Sequence, residues 1–288
     1  MAIDAMTGEE VNRGEASTFF RMSDIHVNFL NDYHLGRWAQ YVGKKAIEYG
    51  VQSVIISGDI SEAPTLVQHL KQLRKGFGVP IYYVPGNHDY WRTDFDSLKS
   101  VMSELNESGL GITWLGDSKP IALNSKTALI GHECWYDAMA GDWTTSNMEM
   151  RDWELIHDFI PVRSNRAGIV SICRKHAGMG IVYLDKQLDA ALALGYENII
   201  VATHFPPFTE AARYHGAPNP HHSLPWYTCT SLGGLLVEKA QENRDRHFLV
   251  LAGHTHDECR VNIEPNLSVH VKGATYGNPS FELMRVGH

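Results

Sequence analysis

The sequence predicts an α/β protein whose strands, buried on both faces by helices, carry polar clusters at their carboxyl ends. Three observations carry that prediction. Residues 51–57, 198–203 and 248–252 are near-continuous apolar runs, the pattern of strands covered on both sides. Stretches with apolar residues at helical spacing lie between such runs. Each run stops at a short motif of Asp, Asn or His, and in sheets of this kind ligands sit beyond the strands' carboxyl ends.

Taken in order, residues 1–16 read as a loose polar tail and 18–22 as a short strand ending at Ser23-Asp24-Ile25-His26. Leu35, Trp38, Ala39, Val42, Ala46 and Ile47 recur at helical spacing, so an amphipathic helix is expected over 32–49, stopped by Gly50. The strand over 51–57 ends in Gly58-Asp59, and a helix follows over about 64–75. The next strand, 79–84, leads into Gly86-Asn87-His88-Asp89, where Gly86 permits a turn, and a helix is expected over 94–107. A strand over 127–130 precedes Gly131-His132-Glu133. Residues 181–194 predict a helix, 198–203 a buried strand ending at His204, and 248–252 another ending at Gly253-His254-Thr255-His256. An alternating strand over 268–273 closes the series.

Two stretches break this rhythm. Residues 134–180 hold Trp135, Tyr136, Trp143 and Trp153 among several arginines, and residues 205–228 are rich in Pro and His. Loops this long in a compact domain are usually functional or disordered, and the aromatic content predicts an ordered cap. The expected organisation is a single domain over 1–288, with a cap insertion at about 134–180 and a Pro/His-rich loop at about 205–228.

Composition narrows the class. An apolar content of 43% and a charged content of 20% over 288 residues describe an ordinary globular chain with a substantial core. A formal charge of -8 opposes the clustered basic surface of a broad nucleic-acid binder, so extended nucleic acid is not an expected partner. Cys134, Cys173, Cys229 and Cys259 form no Cys-x-x-Cys pair, which fits reduced thiols and a cytoplasmic location. No signal peptide and no membrane-spanning run are expected.

The strand-end motifs carry the chemistry. Asp24 and His26 stand two apart after a strand, so an extended backbone is expected to point both side chains the same way. Asp59, Asn87, His204, His254 and His256 complete the set. Carboxylate, imidazole and amide oxygen without thiolate suit Mn, Fe or Zn, and seven ligands exceed what one tetrahedral metal needs. Two divalent metal ions sharing a carboxylate is the expected cofactor.

At these residues the chain resembles the calcineurin-like metallophosphoesterase superfamily. The motifs are Asp24-Ile25-His26, Gly58-Asp59, Gly86-Asn87-His88-Asp89, Thr203-His204 and Gly253-His254-Thr255-His256, and the resemblance spans residues 18 to about 275. It implies a four-layer α-β-β-α sandwich of two mixed sheets flanked by helices, with a dinuclear centre. Carried over, Asp24, His26, Asp59 and His256 hold one metal, and Asp59, Asn87, His204 and His254 hold the other. His88 matches the family's histidine that works on the substrate as general acid, opposite in-line attack by a metal-bridging hydroxide. Asp89 either orients His88 or caps a helix. The family's Ser/Thr protein phosphatases follow the aspartate with Val-Asp-Arg-Gly and end the third motif in Glu. Here Ile60-Ser61-Glu62 follows, and the motif ends in Asp89, which favours the phosphodiesterase-like branch.

The expected activity is hydrolysis of a small phosphomonoester or phosphodiester. Arg163, Arg166, Arg174 and His176 are candidate contacts for a phosphate or sugar edge, and His132, at a strand end, is a candidate to face the site. The alternatives are a non-catalytic metal-binding scaffold of the same fold and a nuclease on short oligonucleotides.

Overall fold

The computed structural model describes residues 2–3, 10–11 and 16–287. Its architecture follows from strands whose side chains alternate between two buried faces. The first sheet holds β1 (Ser17–Met22), β2 (Ser53–Ser57), β3 (Ile81–Val84) and β4 (Ile112–Trp114). The second holds β5 (Ile121–Ala122), β6 (Thr127–Gly131), β7 (Asn198–Ala202), β8 (His247–Ala252), β9 (Cys259–Glu264) and β10 (Leu267–Val271). The last strand, β11 (Glu282–Val286), returns to the first sheet.

The first sheet runs β11-β1-β2-β3-β4 and the second β9-β10-β8-β7-β6-β5. The central strands β1, β2 and β3 are mutually parallel, as are β6, β7, β8 and β10, while β11, β5 and β9 pair antiparallel. Phe19, Ile55 and Val84 from one sheet meet Leu129, Ile200 and Leu251 from the other in a core of their own. Their neighbours Phe20, Val54 and Ile56 point the other way, into the core shared with the helices. Helices α1 (Asp32–Tyr49), α2 (Ala63–Phe77) and α3 (Phe95–Glu107) accompany the first sheet; α4 (Arg166–Ala193) and α5 (Thr230–Glu242) accompany the second. The result is the expected α-β-β-α sandwich of two mixed sheets.

Local chemistry explains several boundaries. Asn31 caps α1 by accepting from the His34 amide at 3.0 Å, and Gly50 ends it at φ 64°. Asp94 caps α3 in the same way through the Ser97 amide at 2.8 Å. The expected helix over 181–194 begins fifteen residues earlier, at Arg166, so 166–180 belongs to α4 and the irregular stretch shortens to about 134–165. Gly168, Gly178, Gly180 and several β-branched residues give this half poor intrinsic propensity, and packing against β6 overrides it. Strands β4, β5, β9 and β11 and helix α5 were not expected. Most of the expected tail over 1–16 lies outside the described residues, apart from Ala2–Ile3 paired with Glu10–Val11.

The four cysteines are buried and free. Among the described residues no helix is long and apolar enough to cross a membrane.

Helices α1 and α2 approach so closely that a Cβ at Gly43 would lie 2.2 Å from the Gly76 carbonyl oxygen. Gly43→Ala is therefore expected to destabilise the protein by about 1–3 kcal/mol, the usual cost of overpacking. Urea unfolding would show it as a lowered midpoint; an unchanged midpoint would mean that the helices separate freely.

Candidate metal centre

The seven predicted ligands follow the carboxyl ends of β1, β2, β3, β7 and β8, which open onto one end of the sandwich. Asp24, His26, Asp59 and His256 each offer one ligand atom, and these four atoms lie within 4.8 Å of one another. Asn87 Oδ1 lies 3.1 Å from His204 Nε2 and 3.0 Å from His254 Nδ1. Asp59 stands between the two groups: its Oδ1 is 3.4 Å from His204 Nε2 and its Oδ2 is 3.7 Å from His26 Nε2.

The backbone that brings them together is not extended. Asp24, His26, Asp59, His254 and His256 have φ of 51°, 39°, 51°, 70° and 59°, the left-handed region that residues with a Cβ rarely adopt. Asp24 and His26 therefore converge through a turn rather than through strand alternation, which corrects the sequence expectation. Such conformations cost about 1–3 kcal/mol each and persist where their surroundings dictate them. The Asp24 amide donates to the Gly58 carbonyl at 2.9 Å and the His26 amide to the Asp59 carbonyl at 3.0 Å, tying the two loops together. A Cβ on Gly86 would fall 2.1 Å from Asp59 Oδ1, so the third loop passes against the shared carboxylate only because Gly86 has no side chain.

Outer hydrogen bonds fix which atom of each ligand faces inward. His204 Nδ1 donates to the Ser57 carbonyl at 2.9 Å, leaving Nε2 for the centre. His254 Nε2 lies 3.3 Å from the Trp226 carbonyl, leaving Nδ1. Asn87 Nδ2 donates to Asp152 Oδ1 at 2.9 Å, which turns the amide oxygen inward. Asp152 is buried and also accepts from Trp91 Nε1 at 2.8 Å and the Tyr136 hydroxyl at 3.2 Å. Sequence reading missed Asp152, because a lone Asp in an irregular stretch carries no motif.

The electrostatics ask for cations. Burial, and then the charges of Asp24 and Asp89, pushes the Asp59 carboxyl well above the usual range. Burial opposes ionisation of Asp24 too, but the hydrogen bond with His256 and the nearby imidazoles hold it well below. Burial lowers His204 and His254 and takes His26 down to about 4, so these imidazoles are neutral. Among the described residues no Lys or Arg is hydrogen-bonded to Asp24, Asp59, Asp89 or Asp152, and all four carboxylates are buried. Buried carboxylates with neutral imidazoles, and no Lys or Arg among the described residues hydrogen-bonded to them, fit divalent metal ions.

His88 projects beside this group without joining it. Its amide donates to Asp59 Oδ1 at 2.9 Å, its Nε2 is 3.8 Å from Asp59 Oδ2, and its ring stacks on Trp91 at 3.6 Å. Asp89 does not orient it. The Asp89 carboxylate accepts from the amides of Ile60 at 3.1 Å, Ser61 at 2.7 Å and Gly86 at 2.8 Å, locking the β2 loop to the β3 loop. Neither role expected for Asp89 is seen, since the two neighbouring loops occupy its oxygens.

A cavity of about 410 Å³ opens over the centre, lined by Asp59, Asn87, His88, His254 and His256 and by Phe29, Trp91, Tyr227, Tyr276 and residues 148–152. None of the five expected substrate contacts lines it. Arg163 is exposed on the surface. Arg166 reaches the Met148 carbonyl at 2.6 Å and lies over Trp153 and Trp226, bracing the cap from behind. Arg174 donates to the Asp137 and Ala138 carbonyls, both at 3.3 Å. His176 is buried and stacked on Phe95 at 3.7 Å, and His132 is buried against Glu133 at 3.4 Å. The cation that does line the cavity is Arg151, which sequence reading passed over among its neighbours.

Fold and site define a class, an α-β-β-α sandwich with a buried carboxylate–imidazole cluster at its strand ends. A family model described as calcineurin-like phosphoesterase matches residues 18–258, and the chain belongs to that family of hydrolases acting on phosphoester bonds, which use dimetal centres. No curated protein sequence matches significantly. Among solved structures, phosphopantetheinyl hydrolase from Mycobacterium tuberculosis is similar, with 15% identity, 90% of each chain covered and a TM-score of 0.61. A dimetal phosphatase from Danio rerio has 14% identity, covering 89% of this chain and 87% of its own at a TM-score of 0.55. The anchor in the inner membrane complex of Plasmodium has 13% identity, with 94% and 81% covered and a TM-score of 0.53. At these identities the likeness is one of fold.

Two outcomes follow from the geometry. Asp152→Ala frees the Asn87 amide to turn, and metal affinity is expected to fall by roughly 10–100-fold, with a smaller loss for Asp152→Asn, which keeps one acceptor oxygen. Metal analysis after dialysis reads this directly, and wild-type retention in Asp152→Ala would refute it. The second outcome concerns pH. Burial lowers the His256 imidazole, but the Asp24 hydrogen bond and charge outweigh it and raise the group above its ordinary value. His256 therefore takes a proton before His26 as pH falls, so manganese affinity should be full at alkaline pH and decline through the histidine range. Calorimetric titration from pH 8 to pH 5 measures it; constant affinity would contradict ligation by His256.

Proposed function

We propose that the chain hydrolyses a small phosphomonoester or phosphodiester, using two divalent ions of the Mn, Fe or Zn type. Asp24, His26, Asp59 and His256 would hold one, and Asp59, Asn87, His204 and His254 the other. The observation that carries this reading is the convergence of both donor groups on Asp59, with His88 alongside, 3.8 Å from Asp59 Oδ2. Bound ions of this kind clamp phosphoryl oxygens and acidify water.

The chain's own side chains supply the rest. Asp152 holds Asn87 and, through Trp91 Nε1, the indole on which His88 is stacked, so one buried carboxylate positions a metal ligand and the proton donor's support. Burial, and then the charges of His26 and His204, pushes the His88 imidazole down to about 2. The negative charge of a bound phosphoester acts in the opposite direction and favours the protonated imidazole. Arg151, on the cavity wall with its guanidinium 5.5 Å from the Trp91 ring centroid, is placed to meet a phosphate oxygen. A cavity of about 410 Å³ suits a small ester and not an extended polynucleotide.

Replacing His88 with Ala is expected to lower kcat/KM by roughly 10²–10⁴-fold on an alkyl phosphoester, whose departing alkoxide needs a proton. The loss on nitrophenyl phosphate, whose phenolate leaves unaided, should be much smaller. Steady-state rates with manganese make the comparison. Equal losses on both esters would remove His88 as proton donor. Retained metal with no hydrolysis of any phosphoester by the wild type would point to the non-catalytic scaffold.

A further inference from the structure

Two aromatic side chains at the cavity mouth have no place in the hydrophobic core. Phe29 is 57% exposed and Tyr276 is 49% exposed, and neither joins either core cluster. Their ring centroids lie 5.1 Å apart, and Tyr276 stands 4.4 Å from the His26 ring, 4.8 Å from His256 and 6.2 Å from His88. Phe29 ends the turn Val27–Phe29, whose buried member is Val27, so the fold requires Val27 inside but leaves the Phe29 ring in solvent. Tyr276 lies between β10 and β11. Two large rings from distant parts of the chain thus meet in water beside the reactive centre. Exposed apolar surface of this kind marks a contact with something else.

The position of His88 indicates what that contact is. A proton donor has to lie within about 2.6–3.2 Å of the oxygen it protonates, so the departing alcohol extends from His88 over the nearest surface. The rings around it are aromatic: Trp91 stacks on His88 at 3.6 Å, Tyr276 lies 6.2 Å from the His88 ring, and Phe29 lies 5.1 Å from Tyr276. Met148 and Met150 line the same cavity, and thioethers favour contact with rings. We propose that the departing alcohol of the substrate carries a planar aromatic or heteroaromatic ring, seated against Phe29 and Tyr276. This rests on the reading of His88 as proton donor. It adds a specificity-determining pair, Phe29 and Tyr276, that holds the ring while His88 serves the oxygen.

The test separates ring recognition from catalysis. Benzyl phosphate and cyclohexylmethyl phosphate have leaving groups of similar basicity and size, and only the first has a ring that stacks. The wild-type protein loaded with manganese is expected to prefer benzyl phosphate by roughly five- to tenfold in kcat/KM, in line with aromatic pair energies. The same preference should hold in calorimetric binding of the two corresponding phosphonates, which requires no turnover. Phe29→Ala with Tyr276→Leu should bring both ratios to about one, while Tyr276→Phe, which keeps the ring, should preserve them. Metal content and thermal unfolding equal to wild type show that the variants are folded. Adenosine monophosphate against ribose 5-phosphate asks the same question of a heteroaromatic ring; preference in this pair assigns a nucleoside alcohol, and preference in the benzyl pair alone assigns an aryl one. Equal wild-type phosphonate affinities together with no preference in the adenosine pair would overturn the inference while leaving the proposed hydrolysis standing. Aryl-selective binding without turnover of any ester would uphold ring recognition and overturn the proposed hydrolysis.

Discussion

Asp24 and Asp59 are buried together where the ends of the two sheets meet, with no Lys or Arg among the described residues hydrogen-bonded to either. Removing carboxylates from water without compensation is expensive. Much of the surrounding structure serves that one problem. The Ser23 hydroxyl donates to Asp24 at 2.5 Å, the His88 amide donates to Asp59, and imidazoles from four loops close around the pair. The strained left-handed backbone at Asp24, His26, Asp59, His254 and His256 belongs to the same arrangement, because only sharp turns at the strand ends aim five side chains at one point.

Support extends outward in two directions. Inward of the centre, Asp89 ties the β2 and β3 loops through three backbone amides, so its value lies in fixing Asp59 and Asn87 relative to each other. Toward solvent, the irregular stretches pack into a common aromatic layer: Trp135 against Phe95 and Phe205, and Trp153 against Trp226 with Arg166 over both rings. That layer carries Asp152 to Asn87 and Trp91, and it sets Met148 to Arg151 along the cavity. Residues 148–152 are therefore part of the cavity wall, with Arg151 facing the cavity, while Arg166 and Arg174 of α4 brace the irregular stretch from behind.

Much of this was readable from residue order. The central strands and helices α1 to α3 announced themselves because a buried strand must be apolar on both faces and an amphipathic helix must repeat at 3.6 residues. What escaped was decided elsewhere. The first half of α4 is rich in Gly and β-branched residues and is helical because β6 gives it a surface. Strands β9 and β11 are half-exposed at sheet edges, so their patterns are mixed. Arg163, Arg166, Arg174 and His176 carry the right chemistry for phosphate, yet side-chain type cannot say which way a helix or cap residue points.

The sequence by itself determined the candidate set of Asp, Asn and His side chains, because metal chemistry needs those types whatever the fold, and each follows a strand whose pattern is local. It also determined the α/β class, through periodicity. Only the tertiary structure decided how those ligands converge, by left-handed turns rather than by strand alternation, since backbone dihedrals there are imposed by neighbouring loops. It alone gave Asp89 to the backbone and Asp152 to Asn87, and it alone brought Phe29 and Tyr276 together. Apart from the local contact of Asp89 with Gly86, these pair residues far apart in the chain, and a contact between distant segments exists only once the sheets have packed.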